Sequence, residues 1–493
     1  MQSVNYFIGF VLMASLFSCD EFLDRQPLDQ ITAENFYRTE DEMELAVMAV
    51  YEPIQNIEWL GKGWHITEIP SDNTQPGGTD PDFTPMDEFT VNADNGTIAN
   101  FWAIRYRCIN LANVVIEKAP QAEISAQKAE EFIQEAKFLR ALAYFDLVRI
   151  YGGVPLVINA PSNDQDLLLP RASVEEVYDL IAADLTHAAE GLPISRSGSA
   201  VGRATKGAAL ALHAKVELTR RDFRAAADLA TAVMDLGVYR LMEDYGENWE
   251  LSTADNNAES VFQAQFAGCG PFGTGNPQQA FFAPWGEGIT RDRDGWGSQV
   301  PTGPGTNTPG TTMMSAFEPG DLRRYHTMME PNNYYPTINA SDGGYTYPSN
   351  GASRVNANIK KYVVGAGSNI CFMSTPQNGH IIRYADVLLT LAEAQVELGS
   401  GVTVNEDALA AFNQIRTRAG LEEVTSIDRE SVLAERRVEF AFEGHRWYDL
   451  LRSGRTIEIM SFHGKNPQEH HLLFPLPAGE LEINPNLVQN PGY

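Results

Sequence analysis

Two stretches between residues 204 and 236 leave few choices of fold. Ala208, Ala211 and Ala214 recur at helical spacing in the first, Ala226 and Ala230 in the second, and Arg220-Arg221-Asp222 separates them. At 3.6 residues per turn such positions line one face of a helix. A face of methyl groups lets two helices approach closely, so the pair reads as a helical hairpin hinged at 220–222. Ala214 and Ala226 stand 12 residues apart, the separation found in a tetratricopeptide repeat, although the other positions of that repeat are only partly kept. Hairpins of this kind stack into a solenoid.

The same periodicity recurs along the chain. Residues 41–57 place Met43, Ala46, Val47, Val50 and Tyr51 on one stripe, and 97–117 carry Phe101, Trp102, Ile104, Ile109, Ala112 and Val115. Residues 129–151 follow, with Ala136, Leu139, Ala143 and Leu147 on the apolar face and Gly152-Gly153 as the stop. Ser173 is placed to cap a helix reaching about 190, with Glu175 and Glu176 in its first turn. Further helices are expected at 382–398 and 405–419, around Gly399-Ser400-Gly401, and at 428–442.

Two blocks break this plan. In 58–96, Gly61, Gly63, Pro70, Pro76, Gly77, Gly78, Pro81 and Pro85 read as a long loop, a rarity unless functional or disordered. In 237–381, eleven Gly and six Pro fall between Gly268 and Gly310, and only Ser260–Phe266 and Lys360–Val364 look like strand. Its aromatics, among them Trp249, Phe281, Trp285, Trp296, Tyr334, Tyr335, Tyr345 and Tyr347, are too many for disorder, so a built surface is expected. Length alone would suggest about three domains. The pattern reads instead as one mostly α domain, 19–493: tetratricopeptide-like helical hairpins (19–57, 97–236 and 382–493) with a loop-rich, partly β face from the inserts 58–96 and 237–381.

Phe7 to Phe17 form an apolar run that ends at Ser18-Cys19. It is too short to span a bilayer, which needs ~20 residues, and has the length of a signal-peptide core. Residues 1–18 are therefore read as a signal peptide. Leu16-Phe17-Ser18-Cys19 resembles a bacterial lipobox, which implies acylation of Cys19 and cleavage before it. Phe17 is bulkier than the usual residue there, and Met1–Tyr6 contain no Lys or Arg. The net charge of −29, from 65 acids against 36 bases, opposes contact of the protein surface with nucleic acid or an anionic bilayer. With Cys19 modified, Cys108, Cys269 and Cys371 remain and cannot all pair, so a disulfide scaffold is not expected. Metal ligation and cofactors are not expected either: Asp292-Arg293-Asp294-Gly295 lacks the later ligands of a calcium loop, and His470-His471 is isolated.

Several segments resemble one family. Cys19-x-x-Phe22-Leu23-Asp24-x-x-Pro27 is followed by Phe36-Tyr37-x-Thr39; Glu135-Ala-Lys-Phe-Leu-Arg140 leads to Tyr151-Gly-Gly-Val-Pro155; and Arg436 to Gly454 contains Glu439, Glu443-Gly444-His445-Arg446-Trp447-Tyr448-Asp449. With Phe474-Pro475-Leu476-Pro477 and the final Gln489-Asn490-Pro491-Gly492-Tyr493, these resemble the SusD/RagB family. The resemblance implies a non-enzymatic lipoprotein on the outer face of the outer membrane. Such a protein captures oligo- or polysaccharide, or in some members peptide, and delivers it to a SusC-like TonB-dependent transporter. A surface glycoside hydrolase is a further alternative. His445 between Glu443 and Asp449 has the residue types of an acid–base site, but at helical spacing Glu439, Glu443 and Arg446 are expected to satisfy one another as a structural lock. No His-Glu-x-x-His, Gly-x-Ser-x-Gly or Gly-x-x-x-x-Gly-Lys motif occurs.

Five of the seven tryptophans (59, 64, 249, 285 and 296) fall in the inserts, away from any helical stripe. A sugar ring presents an apolar C–H face that packs on an aromatic plane, while Asp, Asn and Arg meet hydroxyl pairs. By analogy with aromatic pairs each stack contributes ~0.5–1.5 kcal/mol beyond burial, so two or three give weak capture. The candidate glycan-binding residues are Trp64, Asp72 and Asn73 from the first insert and Trp285, Arg291 and Trp296 from the second.

Overall fold

The computed structural model describes residues 36–76, 81–161, 163, 166, 168–269, 275–284, 289, 307–309, 311–349, 357–366, 370–371 and 373–493. The leader, Cys19 and Thr32, expected to cap a short turn, lie outside the described residues. So do Trp285, Arg291, Trp296 and the Asp292–Gly295 run.

The periodic segments are helices. They are α1 (Glu40–Gln55), α2 (Lys62–Glu68), α3 (Gly96–Lys118), α4 (Ala126–Tyr151), α5 (Val174–Gly191), α6 (Lys206–Arg220), α7 (Phe223–Asp235), α8 (Tyr384–Leu398), α9 (Glu406–Arg418), α10 (Arg429–Glu439) and α11 (Arg446–Ser453). Along the row α1, α3, α4, α5, α6, α7, α8, α9, each helix packs on the next, which is the expected solenoid of hairpins. Alanines 208, 211, 214, 226 and 230 are all buried at the α6–α7 contact region. Ser173 caps α5 in a reciprocal box with Glu176. Gly152 ends α4 at φ +75°, a left-handed position that a side chain would strain.

The second insert leaves and returns at one root. Strand β2 (Ser260–Ala264) pairs antiparallel with β8 (Gly379–Arg383), which feeds α8. Among the described residues between them are short helices (Gln278–Phe282, Thr311–Met314 and Arg323–Thr327) and short strands: β3 (Asn307–Pro309), β4 (Met328–Met329), β5 (Tyr334–Tyr335), β6 (Tyr345–Thr346) and β7 (Asn358–Ile359). The expected strand at Lys360–Val364 is replaced by β7 just before it. Lys361 and Tyr362 turn inward to the backbone oxygens of Glu439 and Phe442 instead.

The first insert is also not the long loop expected. A π turn (Ile57–Gly61) runs directly into α2, and strand β1 (Thr74–Pro76) pairs with β3 of the other insert. Gly61 and Gly63 are there for close packing. A Cβ on Gly61 would lie 2.9 Å from the Phe281 ring, and one on Gly63 would lie 2.7 Å from the Glu58 carbonyl.

The cysteines resolve in part. Cys269 and Cys371 form one disulfide that closes 102 residues of the second insert, and Cys108 is free and buried. Burial pushes the Cys108 thiol up to about 12, so it behaves as a small apolar group. No helix among the described residues is long and apolar enough to cross a membrane.

Candidate functional site

Trp64, Asp72 and Asn73 lie inside the protein, where they hold the first insert to the C-terminal segment. Trp64 is 6% exposed, its indole N–H donates to the Phe442 carbonyl at 2.5 Å, and its ring meets Phe282 edge to face at 4.6 Å. Asp72 accepts both arms of the Arg446 guanidinium (2.7 and 3.0 Å) and lies 3.0 Å from Arg437. Burial alone would raise the Asp72 carboxyl, but these two cations hold it below its usual range. Asn73 donates to Glu68 (2.9 Å) and accepts from Arg437 (2.9 Å). Residues this buried, with their polar groups committed to the protein, do not present them to a sugar. Trp59 and Trp249 are buried as well, at 5% and 2% exposure, and Arg105 lies over the Trp59 ring at 4.3 Å.

Trp64 grips Phe442, a non-glycine residue held at φ +68°. Such a conformation costs on the order of 1–3 kcal/mol and persists where neighbours enforce it. Here its carbonyl accepts from Trp64 and from Tyr362 Oη (2.7 Å), and its N–H donates to Glu68. Glu68 also accepts from the Gly444 N–H. Burial pushes Glu68 up to about 7 in spite of these donors.

Glu439 and Glu443 also sit in an ionic core, with partners other than those expected from spacing. Arg446 serves Asp72, and the two glutamates are met by residues distant in sequence. Arg383 reaches Glu259 (2.5 Å), Glu439 (2.9 Å) and Glu443 (2.7 Å); Arg418 reaches Glu259 (2.8 Å) and Glu439 (2.6 Å). Arg323 and Lys361 complete the set from the second insert. Burial opposes ionisation of Glu439, yet Arg418, Arg383 and Arg323 hold its carboxyl far below the usual range. His445 stacks on Phe440 at 4.4 Å, and burial drives its imidazole well toward the neutral form. The motif is thus a charged clamp between scaffold and insert.

The second insert carries a small core of its own. Ala283, which precedes Trp285, is buried, and Ile289 is buried beside it with Met329, Tyr335, Ile338, Tyr347 and Val363. The stretch ends at Asn307, opposite Pro76 in the β1–β3 ribbon. The two inserts are therefore joined at this ribbon. The hairpin β5–β6 rises from the same small core, with Tyr335 and Tyr347 inward and Tyr334 outward. The sequence offered no periodic signal for these placements, since strands of two residues carry none.

Comparison with known proteins gives the family. A SusD-like protein of Bacteroides ovatus is 30% identical over 454 residues, covering 88% of this chain and 79% of that one. The chain belongs to the SusD family. The model of the SusD family matches residues 259–493, and one described as starch-binding and associating with the outer membrane matches 21–218. Among solved structures, a laminarin-binding SusD-like protein superposes with a TM-score of 0.79 at 27% identity, over 93% of this chain and 100% of the other. A structure solved with a xylogluco-oligosaccharide superposes with a TM-score of 0.76 at 25% identity, over 90% and 97%. The SusD family's helical architecture is the solenoid described above.

Proposed function

We propose that this SusD-family chain is a non-enzymatic, lipid-anchored protein of the outer-membrane surface that captures oligo- or polysaccharide and hands it to a TonB-dependent transporter. The observation that carries the reading is the 27% identical, end-to-end likeness to a laminarin-binding protein. Two further features support it. The inserts are clamped to the scaffold by buried ion pairs, which leaves a firm base for an outer face. The acidic surface favours a neutral ligand over a polyanion.

Trp285, Arg291 and Trp296 remain the proposed contacts from the second insert, and Cys19 the lipid site. Isothermal titration against a glycan panel tests the reading, with Trp285→Ala and Trp296→Ala each expected to weaken binding several-fold. Tight binding to peptides with none to any glycan would sink it in favour of the peptide-capturing alternative. Release of shorter sugars from incubated polysaccharide would show a hydrolase. Loss of lipid labelling in Cys19→Ala tests the anchor.

A further inference from the structure

We infer that Tyr325 and Tyr334 form a second stacking shelf for a neutral saccharide, an inference that rests on the glycan-binding reading and adds a site to it. Exposed single aromatics are ordinary on protein surfaces. These two differ in standing together and in being fixed. Among the described residues, three tyrosines are exposed, and Tyr325 (36%) and Tyr334 (50%) are the two that touch. Tyr325 is backed by the fully buried Tyr335, ring centroids 5.0 Å apart and planes 27° from parallel. Its hydroxyl donates to the Tyr334 carbonyl at 2.5 Å. The Tyr334 hydroxyl in turn donates to the Gly343 carbonyl at 2.8 Å. A Cβ on Gly344 would come within 2.5 Å of that hydroxyl, so the glycine lets the ring lie down on the hairpin.

Because backbone carbonyls already take both hydroxyls, what the rings offer to solvent is chiefly their π faces. A sugar packing on them would immobilise no loose side chain, which removes a usual cost of association. The place also fits. Tyr335 and Tyr347, the inward residues of the same hairpin, share their core with Ala283 and Ile289, so the shelf continues the face that the second insert presents.

The surroundings select the ligand class. Opposite Tyr334 stands the exposed Thr346, and Asn332, two residues before it, is exposed, both suited to hydroxyls. The cation of the patch, Arg324, is already held by both oxygens of Glu330 at 2.9 and 2.6 Å. Lys360 lies buried behind Tyr335. With its cations thus occupied or covered and the acids Asp244 and Asp342 exposed, the shelf suits a neutral chain over a uronate or a sulfated one.

The experiment uses the full chain with laminarihexaose, xyloglucan oligosaccharides and oligogalacturonate. Titration calorimetry on Tyr325→Ala/Tyr334→Ala should show binding of the preferred neutral oligosaccharide weakened about 5- to 150-fold, the effect of two stacks, with the folded state retained by circular dichroism. In the unmutated chain, saturating oligosaccharide should slow nitration of Tyr325 and Tyr334 by tetranitromethane, read by mass spectrometry. That second measurement decides by itself if the double variant does not fold. Glycan binding by the unmutated chain, with neither loss in the variant nor protection from nitration, overturns the shelf and leaves the glycan reading standing. Preference for oligogalacturonate overturns the neutral class. No binding to any glycan overturns the glycan reading itself.

Discussion

Replacing Asp72 separates a structural role from a binding role. Its carboxylate is 6% exposed and neutralises Arg446 through two hydrogen bonds and Arg437 at 3.0 Å. Removing one partner of a buried ion pair leaves an uncompensated charge and costs about 3–5 kcal/mol. Asp72→Ala removes the carboxylate shared by Arg446 and Arg437, while Arg437 keeps its bonds to Asn73 and the backbone, so a cost within that range is expected. The assay is urea unfolding at pH 7 for wild type, Asp72→Ala, Arg446→Ala and the double variant. Once Asp72 is gone, deleting Arg446 should cost clearly less than it does alone, a coupling of at least about 1 kcal/mol. The acid limb should change too. The folded carboxyl is held below its unfolded value, so its contribution is present above about pH 4 and is lost as pH falls through the folded value. In Asp72→Ala that part of the acid dependence should disappear. A folded variant within 1 kcal/mol of wild type that nonetheless lost glycan affinity would refute the reasoning and return Asp72 to the ligand site.

Other outcomes follow from the same geometry. Glu68 is raised to about 7 by burial, so between its ordinary value near 4.5 and 7 the folded state binds the extra proton. Stability should therefore fall as pH rises through that window, by on the order of 3 kcal/mol at 1.36 kcal/mol per tenfold change in proton affinity, and the slope should flatten in Glu68→Gln. Reduction of Cys269–Cys371, or Cys269→Ser with Cys371→Ser, should cost about 2–4 kcal/mol, seen as a lower melting temperature in reductant. Gly63→Ala drives a methyl to 2.7 Å from the Glu58 carbonyl and should cost about 1–3 kcal/mol by chemical denaturation.

The solenoid was legible because its information is local. Met43, Val47 and Val50, or Ala208, Ala211 and Ala214, show their burial in spacing alone, and Ser173 shows its cap. The inserts mislead for two physical reasons. Glycine marks a turn and also a close contact, and at 61 and 63 it is the contact that counts, so a helix was hidden under a loop signal. Trp64 and Asp72 have the composition of a sugar site, but their partners Phe442 and Arg446 stand 378 and 374 residues away, beyond any window of sequence. The 436–454 segment was recognisable as a lock, whereas Arg383, Arg418 and Arg323, which engage Glu439, could be assigned only in three dimensions.

The β1–β3 ribbon joins Thr74 to Pro309 and Pro76 to Asn307, while Ala283 is packed at the other end of the intervening stretch. The described residues on either side of 290–306 are thus held in place. Grafting residues 290–306 from the laminarin-binding protein, with the buried Ile289 kept, should leave the melting curve nearly unaltered and shift the preferred sugar. New specificities would then arise by replacement of one short cassette, with the clamp and solenoid left untouched.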